Sequence, residues 1–261
     1  PAQLLLFPDE NMTKEDARML MEYAIEGRRR VKEQLKIMAG VEFIDVNLGY
    51  IDVENPAENH VVYVPEQSKS TLVPDGPLQA GHVFAVGHSV EGEMAIYKLE
   101  NKAVAGDFKL ETEGLGYNRA VNDGIEAAFK YFGNNANKVA LGVRAGAYDY
   151  LMFFNDLQKK GLSAEISLAE FVGLCSAACG RPVAASLVIP GILRMSGSMD
   201  ELRDLEDIFR VAKNAGAKKI LLPMSSLAQL QTVPQELMSS VSPDFYPDGD
   251  AVSAARKALE I

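Results

Sequence analysis

The sequence predicts a mixed α/β fold, an expectation that rests on three observations. The stretch from Gly180 to Met224 reads as strand, turn, amphipathic helix, turn, strand. In it, Ala185 to Leu193 is an apolar run broken by Pro190-Gly191, and Ile220 to Leu222 is a short buried strand closed by Pro223. Between them Leu202, Leu205, Ile208, Phe209 and Ala212 recur at three- and four-residue steps, one apolar helix face, and Gly216 supplies its stop. Apolar residues make up 48% of the 261 positions, enough to bury the core of one large domain or two small ones. Finally, short strands with frequent turns fill Val61 to Ala105, whereas strand-like and helix-like segments follow one another from Gly106 onward.

A net charge of −10 argues against a nucleic-acid surface spread over the whole chain, while leaving room for a local basic patch. Two cysteines, no signal peptide and no apolar run long enough to cross a bilayer lead us to expect a reduced, cytoplasmic setting. The chain opens on Pro1, so a fragment of something longer is expected.

In order, Thr13 and Asp16 suit a helix start, and Leu20, Ala24, Gly27, Val31, Leu35 and Met38 form a seam along that helix. Its middle, Arg28-Arg29-Arg30-Val31-Lys32, is basic: either a solvated face or a contact with an acidic partner or DNA. Val41 to Val53 alternates like a strand, which gives a connector region over 1–60 and a small antiparallel β region over 61–105. His82 and His88 flank one strand; a metal site would need further ligands that the sequence does not supply. Gly81 and Gly87 read as turn or bulge residues.

The third region, 106–261, opens with Phe108, Leu110 and Thr112 alternating along a half-buried strand. Val121, Ile125, Ala128, Phe129 and Phe132 make a helix stripe that Gly133-Asn134-Asn135 should end. Strands are expected at Lys138 to Val143 and Tyr148 to Asn155. Ser167 with Glu170 reads as a capping box for a helix that turns Cys175 and Cys179 inward, as core rather than redox or metal residues. A turn of helix from Pro234, a strand at Asp244 to Tyr246 and a helix over Asp250 to Glu260 close the chain.

Several motifs carry a family resemblance. Gly106-Asp107-Phe108-Lys109-Leu110, Gly114-Leu115-Gly116, Gly180-Arg181-Pro182-Val183, Pro190-Gly191-Ile192-Leu193 and above all Asn214-Ala215-Gly216-Ala217-Lys218-Lys219-Ile220-Leu221-Leu222-Pro223 resemble the proteolytic domain of Lon proteases. With EGRRRVKEQL at 26–35 and FVGLCSAACGRPV at 171–183, the whole chain is similar to the C-terminal half of the Lon-like BrxL family of BREX phage-defence systems. The resemblance implies a Lon-type fold over 106–261, a preceding AAA+ ATPase using ATP and Mg²⁺, ring-shaped homo-oligomers and association with DNA. No Walker-type glycine loop occurs, so any ATPase domain is expected to lie outside these 261 residues, and neither a cofactor nor a membrane contact is expected within them.

Lon proteases use a serine nucleophile and a lysine base. Counting back from Pro182 without gaps places Glu165 at the serine position. Two extra residues instead match Gly161-Leu162-Ser163-Ala164 to the family's Gly-Pro-Ser-Ala, with Glu165 in place of the glycine that follows. Ser163 is thus the candidate nucleophile, or a loop hydroxyl bonded to backbone. Counting back from Asn214 puts Glu206 at the lysine position, with Arg203 and Asp204 where the family has glycines. A carboxylate of reference pKa about 4.3 is mismatched to this work, and losing the base costs roughly 10² to 10⁴ in rate. Lys159, Lys160 or Lys213 would substitute only by coming beside Ser163, and Lys213 lies two helical turns, about 10 Å, beyond Glu206. Three readings stay open at this point: a degenerate peptidase retained for assembly or partner binding, an active ATP-dependent serine peptidase with a relocated base, and a ring module of a DNA-binding machine.

Overall fold

The computed structural model describes residues 71–90 and 92–261. The expectations for 1–60, including the basic helix at Arg28 to Lys32, and for the start of the 61–105 region lie outside the described residues.

Runs of apolar and β-branched residues produce seven strands in one sheet: β1 (His82–His88), β2 (Met94–Ala105), β3 (Leu110–Glu113), β4 (Tyr148–Asp156), β5 (Leu187–Ile189), β6 (Lys219–Pro223) and β7 (Ser242–Tyr246). Their order is β3-β4-β2-β1-β5-β6-β7. β1 pairs antiparallel with β2 and parallel with β5, so the sheet is antiparallel at β1-β2-β4 and parallel from β1 to β7. β3 lies parallel to β4 at the other edge. Five consecutive residues of β1, Val83 to Gly87, are buried, as a strand covered on both faces requires.

Period-two alternation divides β1 between two cores. Val83 and Ala85 join Tyr97, Leu99, Tyr150, Met152 and Phe154 beneath the helices α1 (Arg119–Val139), α2 (Ser167–Cys179) and α5 (Ala251–Ala258). Phe84 and Val86 join Ile96, Val188, Ile220 and Leu222 beneath α3 (Leu205–Asn214) and α4 (Gln235–Ser240). The result is three layers, helices on both faces of a mixed sheet. Among the described residues no helix is long and apolar enough to cross a membrane.

Several local expectations need correction. The change in pattern at 105/106 does not separate two bodies, because β1 and β2 are the middle of the one sheet. α1 runs through Gly133-Asn134-Asn135 to Val139: both asparagine side chains donate back to helix carbonyls, of Lys130 and Tyr131. Gly133 is there for clearance, since a Cβ at that position would lie 2.5 Å from the Phe108 ring. Phe108 itself precedes β3 with φ 64° and stacks on Phe129 at 4.4 Å. Lys138 to Val143 is the end of α1 and a turn rather than a strand. Gly81 is a turn residue with φ 89°, but Gly87 lies within β1.

The Ser167–Glu170 capping box does not form either. Ser167 Oγ accepts from Leu193 N at 2.8 Å, and Glu170, fully buried, accepts from Asn101 Nδ2 on β2 at 3.1 Å. Glu170 Oε1 and Asn101 Oδ1 have no partner among the described residues. Burial pushes the Glu170 carboxyl up to about 7, against the opposing pull of the Asn101 hydrogen bond.

A carboxyl that binds its proton more tightly folded than unfolded stabilises the fold while it stays protonated. That contribution is complete below pH 4.5 and is lost as pH rises through about 7, a change of about 3 kcal/mol at about 1.4 per unit. Glu170→Gln keeps the neutral form and offers a donor to Asn101 Oδ1. Chemical denaturation of the variant should therefore show a higher unfolding free energy than wild type at pH 8 and a shallower decline between pH 5 and 8.

Candidate functional site

The loop between β4 and α2 is shaped by Asp156, whose carboxylate accepts from Gln158 N at 3.1 Å and Gly161 N at 2.7 Å. It then meets the end of β1. Val90 N donates to Leu162 O at 2.7 Å, and Ser163 bridges Ser89 in antiparallel fashion. Ser163 is 0% exposed; its hydroxyl donates to the His88 carbonyl at 2.7 Å and accepts from Glu165 N at 3.0 Å. Beside it lies the Tyr97 hydroxyl, also buried, with no well-formed hydrogen bond among the described residues. Burial first, then the Asp156 and Glu165 carboxylates, hold the Tyr97 phenol well above its usual range.

Glu165 turns back over the same strand end. Its Oε2 accepts from His88 N at 2.9 Å, and its carboxylate lies 3.2 and 3.3 Å from His88 Nδ1. The other ring nitrogen, Nε2, faces Asp204 Oδ2 at 3.3 Å. Asp204 is the residue before α3 and has φ 51°; its side chain reaches His88 rather than capping the helix. Gly87 makes room for this packing, since a Cβ there would lie 2.7 Å from Glu165 Cβ and 3.0 Å from Ser163 Oγ.

In this arrangement both hydrogen bonds of the Ser163 hydroxyl go to backbone. A serine needs a base within hydrogen-bond reach of its proton, yet the Ser163 proton rests on a backbone carbonyl that cannot take it. The His88 ring is no substitute, because both of its nitrogens face carboxylates and Ser163 bonds to its backbone. Glu206, at the family's lysine position, is on the outer side of α3 in an ion pair with Arg210. Lys213 pairs with Glu236 at 2.5 Å, and Lys160 with Glu93 at 2.8 Å. Lys159 sits with φ 55° in the same loop as Ser163.

Of the sequence-derived candidates, Ser163 and Glu165 therefore come together and Glu206 stands apart from them. Gly87, His88 and Asp204 complete the cluster and were missed as a group. The available signal was Glu165 itself: a large residue at a family glycine position requires a compensating void, and Gly87 is that void. Among the described residues no three His, Cys, Asp or Glu side chains are arranged to hold a metal ion. Cys175 and Cys179 are free thiols; burial pushes both up, Cys175 furthest, which disfavours their thiolate forms.

Comparison with known proteins agrees with this topology. Residues 79–254 match the Lon protease (S16) C-terminal proteolytic domain, and residues 2–49 match the ATPase domain of Lon-like protease BrxL-like proteins. The second match corrects the expectation that these residues contain nothing of the ATPase domain. Lon-like protease BrxL of Bacillus cereus (strain H3081.97) is 40% identical over 98% of this chain, and that of Escherichia coli O9:H4 (strain HS) is 38% identical over 98%. The chain spans only 38% and 37% of the length of those two proteins. Lon protease 1 of Thermus thermophilus is 27% identical over 58% of the chain and 19% of its own length. The chain thus belongs to the Lon protease (S16) C-terminal proteolytic domain family, with Lon-like BrxL proteins as its relatives along nearly its whole length.

Proposed function

We propose that this chain is the C-terminal part of an AAA+ phage-defence protein of the BREX type, in which the Lon-type peptidase dyad is degenerate and the fold serves assembly and partner binding. The observation that carries this reading is the state of Ser163: fully buried, with its proton on the His88 carbonyl, while the lysine position holds Glu206 paired to Arg210. In this reading ATP and Mg²⁺ act at an ATPase site elsewhere in the protein, in the cytoplasm. Homo-oligomeric ring assembly and DNA contact belong to the same proposal, the latter through other regions or the Arg28–Lys32 segment.

The decisive experiment is hydrolysis of an unfolded protein such as casein by the full-length protein with ATP and Mg²⁺. Wild type and Ser163→Ala should be indistinguishable. The same substitution strands the Glu165 N–H and removes a buried bond, so it should lower stability by about 1 to 3 kcal/mol, seen as a lower Tm. Hydrolysis present in wild type and lost in an assembled, folded Ser163→Ala would overturn the proposal.

Restoring the missing amine tests the same reading from the other side. Glu206→Lys places a lysine beside Arg210 on an exposed helix flank and leaves Ser163 buried. Casein hydrolysis should stay at the buffer baseline, and its appearance would show that the serine needed only a base.

A further inference from the structure

One edge of the sheet has an open side among the described residues. β3, Leu110-Glu111-Thr112-Glu113, pairs with β4 on one side only among the described residues. Tyr150 N donates to Lys109 O at 2.8 Å. In a parallel ladder alternate residues turn both backbone groups to the same neighbour. Residues 109, 111 and 113 therefore serve β4, and the N–H and C=O groups of Leu110 and Thr112 point to the open side.

The side chains on one face of this edge are laid out in rows. Across β2, β4 and β3, one row reads Lys102, Leu151, Glu111 and the next Glu100, Phe153, Glu113. The helices on this face, α3 and α4, pack on the second core and leave Leu151 and Phe153 37% and 39% exposed. These two rows line a shallow recess of about 590 Å³. Glu100 is matched by Lys98 at 2.6 Å. Glu111 and Glu113 make no ion pair among the described residues, so the outermost strand carries the uncompensated charge.

That charge selects the occupant. A second copy joined edge to edge across Thr112 would set Glu111 against Glu113 twice, and like charges directly opposite are destabilising. We propose that the β3 edge accepts an extended segment of a partner protein with Lys or Arg at alternate positions. Its backbone pairs with Leu110 and Thr112 as an eighth strand. Its basic side chains face Glu111 and Glu113, and their aliphatic stems lie across Leu151 and Phe153, one strand spacing further in. The recess lies toward the His82 end of β1, opposite the His88 end that holds Ser163, so this surface does not depend on whether the peptidase site is active.

The probe is a capped heptapeptide with arginine at its second, fourth and sixth positions and valine or threonine between them, titrated against the full chain. Saturable binding below about 1 mM is expected. It should weaken at least tenfold for the combined Glu111→Lys and Glu113→Lys variant. Thr112→Pro removes an outward N–H without touching the β4 ladder and should weaken binding at least tenfold as well. A peptide N-methylated on alternate amides tests the same backbone bonds from the ligand side, should Thr112→Pro misfold. No saturable binding, equal binding of the N-methylated peptide, or equal binding by the charge-reversed variant would overturn the proposal.

Discussion

The fold depends on burying α2. Ten consecutive residues, Ser167 to Ser176, are out of solvent, so this helix has no outer face and must be enclosed all round. β1 and β2 lie under it, and α1 and α5 close the sides. Leu168, Phe171, Val172 and Leu174 each contribute roughly 1.5 to 3 kcal/mol of apolar burial. One consequence is polar: Glu170 can be accommodated only by giving it Asn101 and favouring its neutral form. The other is positional, because the helix start at Ser167 fixes the preceding turn, and with it Ser163, against the end of β1.

The chemistry of that turn follows from its confinement. Ser163 fulfils a structural need, joining the His88 carbonyl and the Glu165 N–H where two irregular segments meet without a full ladder. Glu165, His88 and Asp204 then link the turn, the end of β1 and the start of α3. Each contact is partly solvated and individually weak. Together they fill the space beside the serine and occupy both nitrogens of the only imidazole in the cluster, which ties the three segments together.

Elements set by short-range rules were legible in the sequence, and those set by distant neighbours were not. The β5-α3-β6 unit was readable because its periodicity, its Gly216 stop with φ 88° and its buried strands agree with one another. The start of α5 was readable from Asp250, whose side chain accepts from Ser253 N at 2.9 Å. Gly133-Asn134-Asn135 misled because the glycine answers to Phe108, a residue 25 positions earlier that only packing brings near. Ser167 and Glu170 have the spacing of a cap, but burial commits them to Leu193 and Asn101. The place of β1 and β2 at the centre of the sheet was hidden by the turn-rich sequence around them. At the site, spacing against the family pattern pointed to Ser163, Glu165 and Glu206, whereas His88 and Asp204 join the cluster only when three segments converge.

In the proposed reading the two departures from the Lon pattern are physically coupled. An accessible serine is useful only with a base beside it, and a lysine base must be buried to lose its proton near neutral pH. Glu206, on the solvent side of α3, puts a carboxylate paired to Arg210 where the family pattern has that amine. Glu165 can then pack over Gly87 and draw His88 and Asp204 into the closed cluster. What such a chain still presents outward is its surface, and there Glu111 and Glu113, without an ion pair among the described residues, lie on the edge strand β3 beside Leu151 and Phe153 of β4. Because function resides in sites rather than folds, an edge that repels its own copy while offering apolar area and free backbone groups is better matched to a basic partner than to self-assembly.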